Sequence, residues 1–169
     1  MKSPAVITAK EVSQNGAGHI IDLGDGRKAK LLPVSSTLID AVTNKIKDPP
    51  VPMWFNDDKQ RDEPNPIDPD YIAGLGDASR RRGLAALDAL AMFGIELLNG
   101  IPEDRTWIKK LKMLGVDLDG YDLEDDLDVE FLYKRFFVAT NDVIQKLSEV
   151  SGITPDDVKV AEATFPGNT

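Results

Sequence analysis

DPDYIAGLGDASRRRGLAALDALAMFGIELLN, running from Asp68 to Asn99, is the stretch whose reading decides the fold. Asp68 is placed to cap a helix, because its carboxylate accepts from the free N–H groups of a first turn. Pro69 suits the first helical position, which needs no N–H, and Asp70 suits the positive end of the helix dipole. Leu84, Leu87, Ala91, Ile95 and Leu98 then recur at three- and four-residue steps and define one helical face. Leu90, Phe93 and Leu97 widen it to a broad apolar sector. The expectation is a helix through this stretch, central in the core. Arg80, Arg81 and Arg82 fan through about 200° of its circumference, so they form no single patch and are expected to pair with nearby acids.

Outward toward the N-terminus, Ala5 to Val12, His19 to Leu23 and Lys28 to Val34 read as three short strands. Gly24-Asp25-Gly26-Arg27 supplies the tight hairpin turn between the last two. Leu38, Ile39, Val42 and Ile46 follow at helical spacing, which predicts a short helix over 37–47. Toward the C-terminus, Trp107, Ile108, Leu111 and Leu114 form the stripe of another helix, with Gly115 as its stop. A long helix is expected from about Asp125 to Val150, with a break near Thr140-Asn141 and Phe131, Leu132, Phe136, Ala139, Val143, Ile144 and Leu147 facing inward. Gly152 ends it, and Thr154-Pro155-Asp156-Asp157 signals a last helix. The fold class is therefore α+β and mostly α: a small N-terminal antiparallel β-sheet with a hairpin, then a helical domain. Residues 1–47 form the sheet and short helix, and 70–169 the helical domain, the two making one cooperative unit.

Between them, residues 48–69 hold six of the chain's 11 prolines. Each removes a backbone donor and biases its predecessor away from the helix, so the segment reads as an extended, partly polyproline-II arm on the surface. Yet Val51, Met53, Trp54 and Phe55 make it strongly apolar. Two readings stand side by side. The rings cover this chain's own core, or the arm docks on another chain through aromatic anchors.

Composition narrows the classes. The 169 residues suffice for one domain with a real core. A net charge of −9 and a pI of about 4.6 oppose nonspecific binding to nucleic acid. No cysteine is present, which excludes disulfides, thiolate metal sites and a cysteine nucleophile. No signal-peptide pattern or membrane-length apolar run is seen, and a cytoplasmic location is expected. His19 is the sole histidine and has no serine-glycine elbow to serve. Asp117, Asp119 and Asp122 resemble a fragment of a calcium loop, but Gly120 falls at the wrong position, so a solvated acidic loop is the expectation. Asp57, Asp58, Asp62 and Glu63 offer acid–base pairs that nothing places in a pocket. No catalytic, cofactor or metal residue is assigned.

Six segments carry a family resemblance: PPVPMWFN (Pro49–Asn56), NPIDPDY (Asn65–Tyr71), MFGIELL (Met92–Leu98), WIKKL (Trp107–Leu111), FLYKR (Phe131–Arg135) and ITPDDVKVAEATF (Ile153–Phe165). Together they resemble the small tail-assembly proteins encoded by long-tailed bacteriophages and prophages. The resemblance implies a non-enzymatic tail assembly chaperone in the host cytoplasm, binding the tape-measure protein before the tail tube closes around it. The alternative it leaves open is a structural subunit of the virion, with the arm making inter-subunit contacts or self-association. Either way the expected partners are proteins, bound through Val51, Met53, Trp54 and Phe55, with no nucleic acid, membrane or cofactor.

Overall fold

The computed structural model describes residues 19–24 and 26–152. The segments at 5–12 and 154–165, read above as a strand and a helix, lie outside the described residues. The described chain is α+β and mostly α. Strand β1 (His19–Gly24) pairs antiparallel with β2 (Arg27–Leu31), as the glycine-flanked turn predicts. Gly24 and Gly26 both take positive φ, at 81° and 74°. Helix α1 (Ser36–Thr43) follows, then a two-stranded ribbon, β3 (Met53–Asn56) and β4 (Arg61–Pro64). Helix α2 (Pro69–Gly94) leads into β5 (Ile95–Leu97), and α3 (Thr106–Met113), α4 (Asp126–Tyr133), a π-helical turn (Lys134–Val138) and α5 (Asn141–Ser151) complete the order.

The start of α2 forms as its sequence dictates. Asp68 Oδ1 accepts from the backbone N–H groups of Asp70 and Tyr71 at 3.0 and 3.1 Å, and Pro69 is the first helical residue. Its end does not. The helix stops at Gly94, and Ile95–Leu97 become the third strand, antiparallel to β2 in a sheet ordered β1-β2-β5. Ile95 and Leu98 are therefore off the helical face to which their spacing assigns them. Two backbone bonds fix the switch, Leu32 N–H to the Gly94 carbonyl and Leu98 N–H to the Lys28 carbonyl. The open edge of β2 needs a partner for its donors and acceptors, and that demand overrides the helical period. It also leaves Leu84 and Phe93 exposed and Leu87 half-buried, while Ala89, Leu90 and Ala91 turn to the core.

The same rule corrects two further faces. Helix α3 ends at Met113, so Leu114 leaves the stripe of Trp107, Ile108 and Leu111 and is 80% exposed. The long C-terminal helix does break at Ala139-Thr140, with Thr140 Oγ1 capping α5 through the Val143 N–H. Ahead of the break, the π turn holds one residue more than an α-turn. It brings Val138 into the core and leaves Phe136 and Phe137 partly exposed.

The core lies between the sheet, the last turns of α2 and the inner faces of α3, α4 and α5. Leu31, Ile95, Val129, Leu132 and Leu147 are its most enclosed large side chains. Trp107 meets Tyr133 and Phe137 edge-on at 5.5 and 5.6 Å between centroids, and those two rings stack. Arg27 lies over the Tyr133 ring and donates from Nη1 to its hydroxyl. Arg135 ties α2 to the π turn: its Nε lies 3.0 Å from Asp88 Oδ1, and its Nη1 donates to the Tyr121 hydroxyl at 2.9 Å. The arginine triplet pairs with acids as expected. Arg80 and Arg81 share Asp77, and Arg82 pairs with Asp48 and donates to the Ile46 carbonyl. Among the described residues no helix is long and apolar enough to cross a membrane.

Two predictions follow from this packing. A Cβ at Gly94 would sit 2.8 Å from Leu147 Cδ2 and 3.0 Å from Val34 Cγ2. Gly94→Ala should destabilise by about 1–3 kcal/mol through overpacking, and Leu147→Ala by about 2–5 kcal/mol through the cavity it leaves. In urea melts the double variant should lose less than the two single losses combined, because the cavity receives the added methyl. The second concerns Asp88, whose carboxyl is raised by burial against the opposing pull of Arg135. A raised carboxylate favours protonation in the fold, so its contribution to stability is present at low pH. That contribution is lost as pH rises from the unfolded carboxylate value through the folded one. Urea midpoints across that range should show the parent chain losing ground to Asp88→Asn as pH rises.

Candidate functional site

Residues 48–69 are not the continuous extended arm that the prolines suggest. Met53–Asn56 and Arg61–Pro64 form an antiparallel ribbon in the register Met53 with Pro64, Trp54 with Glu63, Phe55 with Asp62 and Asn56 with Arg61. The Asn65 N–H donates to the Pro52 carbonyl at 2.8 Å and opens the ladder. Ladder alternation then turns the backbone groups of Trp54 and Asn56 toward β4 and those of Met53 and Phe55 outward. Pro64, opposite Met53, falls at an outward position where its missing N–H costs the ladder nothing. Thus Pro52 and Pro64 bound the ribbon rather than forbid it. The sequence carried two signals for it, an aromatic run with high strand propensity and the polar tetrad Asp57-Asp58-Lys59-Gln60 beside Asn56.

The turn is held by side chains. Asn56 Oδ1 accepts from the N–H groups of Asp58 and Lys59, and its amide donates to Glu63 Oε2 at 2.9 Å. Gln60 adopts a positive φ of 51°, and its amide donates to the Asp57 carbonyl at 2.7 Å. Lys59 Nζ and Arg61 Nη2 both reach Glu63 Oε1 at 2.9 Å. Lys59 first, then Arg61 and Asn56, hold the Glu63 carboxyl below the usual carboxylate range. Asp57, Asp58 and Asp62 are exposed and have no ion-pair partner among the described residues.

Period-2 alternation puts Met53 and Phe55 on one face with Asp62 and Pro64, and Trp54 on the other with Glu63 and Arg61. Met53, Trp54 and Phe55 are 58%, 48% and 51% exposed, and Val51 is 40% exposed. None of the four belongs to the core cluster. The ribbon packs chiefly on itself. Its base is fixed to α2, where Pro49 Cγ would lie 3.0 Å from a Cβ at Gly74 and Arg82 grips Asp48. The structure places Met53, Trp54 and Phe55 on the ribbon, Trp54 on the opposite face from the other two, with Val51 just ahead of β3.

Elsewhere the chemistry is sparse. An open cavity of about 370 Å³ runs along β1 and is lined by His19, Asp22, Phe137, Thr140, Asp142 and Lys146, among others. Lys146 is held by Asp142 at 2.8 Å, and Thr140 Oγ1 serves as the helix cap. The acidic loop spends its carboxylates on its own backbone. Asp117 accepts from Asp119 N–H, Asp122 from Glu124 N–H, and Asp128 from Asp122 N–H. Among the described residues no three His, Cys, Asp or Glu side chains converge as a metal site.

Because the ribbon has little core beneath it, its order depends on the turn network. Asn56→Ala should collapse amide exchange protection in β3 and β4 while leaving the global melting temperature within about 2 °C, since surface changes stay within roughly 0.5 kcal/mol. Comparison with protein-family models, with curated proteins and with solved structures finds no match for this chain.

Proposed function

We propose that this protein is a non-enzymatic assembly factor of the phage-tail type, whose ribbon binds an apolar segment of a long tape-measure-like partner. The observation that carries the reading is the half-exposed aromatic pair Trp54 and Phe55, held on an ordered projection from an acidic body. Covering the exposed halves of two such rings removes roughly 200 Å² from water, a gross gain of about 5 kcal/mol. The ribbon is already ordered by its ladder and turn, so less of that gain is spent on fixing it at binding. The resemblance of Pro49–Asn56 and five further segments to tail-assembly proteins supplies the class of partner. The acidic surface keeps such a factor soluble while it presents apolar side chains.

The test is the double substitution Trp54→Ala and Phe55→Ala. The variant should melt within about 3 °C of the parent, as a change outside the core does. It should no longer co-purify with a co-expressed tape-measure protein. A steep fall in melting temperature with association intact would return the rings to the core and end the proposal. Mass spectrometry of purified virions separates a transient chaperone, absent from the particle, from a permanent structural subunit, abundant in it.

A further inference from the structure

The two outer edges of the ribbon differ in kind. The β4 edge presents the backbone of Asp62 and Pro64, with Arg61 and Glu63 between and beside them. One of those positions, Pro64, has no N–H, and the other three residues of the strand are charged, which is how proteins blunt an edge against pairing. The β3 edge presents the N–H and C=O groups of Met53 and Phe55, in a strand with no charge and no proline. Among the described residues no such guard protects it, and β3 packs chiefly against β4. An uncharged, apolar, uncovered edge of this kind is a template for another strand.

The charges around that edge select what adds to it. Lys59 and Arg61 are both taken up by Glu63, which leaves Asp57 and Asp58 beyond the end of β3 and Asp62 on the face shared by Met53 and Phe55. The local field is negative, and the whole chain carries −9. A second copy would bring the same acidic edge and the same net charge to the contact. A basic segment meets complementary charge. We propose that the outer edge of β3 is a strand-addition site for an extended apolar segment of another protein flanked by lysine or arginine. This rests on the assembly reading above and specifies the partner's local chemistry and its mode of binding.

The probe is a synthetic peptide, a six-residue alternation of valine and threonine with two lysines at each end, titrated into the full chain by calorimetry. Two controls accompany it: the same core flanked by glutamates, and the lysine peptide N-methylated at alternate core residues. Both should bind at least about tenfold more weakly, the first through charge and the second through lost backbone donors. Binding of the lysine peptide should also weaken as salt rises. In the protein, Met53→Pro removes an outward N–H and spares the inner ladder, while Met53→Ala removes the side chain alone. The peptide should bind Met53→Pro about tenfold more weakly than Met53→Ala. Equal binding by the N-methylated or the glutamate peptide overturns the proposal, as does no binding of the lysine peptide at millimolar concentration. A dimer in sedimentation equilibrium that Met53→Pro dissolves makes a second copy the occupant and overturns it too. If Trp54→Ala/Phe55→Ala loses the tape-measure partner and Met53→Pro keeps it, strand addition falls and the assembly reading stands. If the double variant keeps that partner, the assembly reading itself falls.

Discussion

The end of α2 is crowded by the side chains of Val34 and Leu147, where a glycine stands. At Gly94 the helix passes so close to Val34 and Leu147 that even a methyl group would overlap the latter. The Gly94 carbonyl accepts from Leu32 at the end of β2. There the chain leaves the helix and becomes β5, the strand that completes the sheet. The approach of α5 through Leu147 and the position of α2 both depend on this contact. A larger residue would press on Val34 and Leu147, beside the point where Ile95 enters the sheet.

From that junction α2 extends over 26 residues, about 39 Å at 1.5 Å per residue. One face of its last turns, Ala89, Leu90, Ala91 and Gly94, is buried, while α1 packs along the helix and Gly74 and Arg82 meet the segment that leads to the ribbon. The helix therefore acts as a spar between a core at one end and, at the other, the ribbon proposed to bind a partner. Arg82 and Gly74 are its attachment points for the segment that enters the ribbon. On the proposed reading, stability and interaction fall to different parts of the chain, so a sequence change can alter one with little effect on the other.

The class of the fold was legible wherever local chemistry and tertiary demand agreed. Asp68-Pro69 begins a helix on its own terms, and the glycines at 24 and 26 make a hairpin whatever lies nearby. Thr140 breaks the C-terminal helix where capping chemistry says it should. Legibility failed where a distant partner decided. Ile95 has helical spacing and equally good strand character, and only the edge of β2 selects between them. Leu114 keeps the apolar period but lies past a helix end, and Phe136 keeps it but lies within the π turn. In the arm, the prolines spoke louder than the aromatics. Proline forbids a central strand, yet it is harmless at an outward position, and outward cannot be known before the register is. Residue type alone marks Val51, Met53, Trp54 and Phe55 as binding candidates. That the last three stand on an ordered ribbon follows from Asn56 and Glu63, whose roles exist only once both strands are in place.

The π turn has a consequence for how the C-terminal third is wired. One surplus residue in a helix advances the phase of everything after it by roughly 100°. Without that surplus, Phe137 rather than Val138 would follow Tyr133 one turn later toward the core. The break at Ala139-Thr140 then sets the direction of α5, which reaches both α2 and β2. The insertion works as a phase shifter for the last turn before that break. The number of residues between Tyr133 and Ala139 is then under tighter constraint than their identity. A substitution there alters one contact, whereas a deletion of one residue would turn Val138 out of the core.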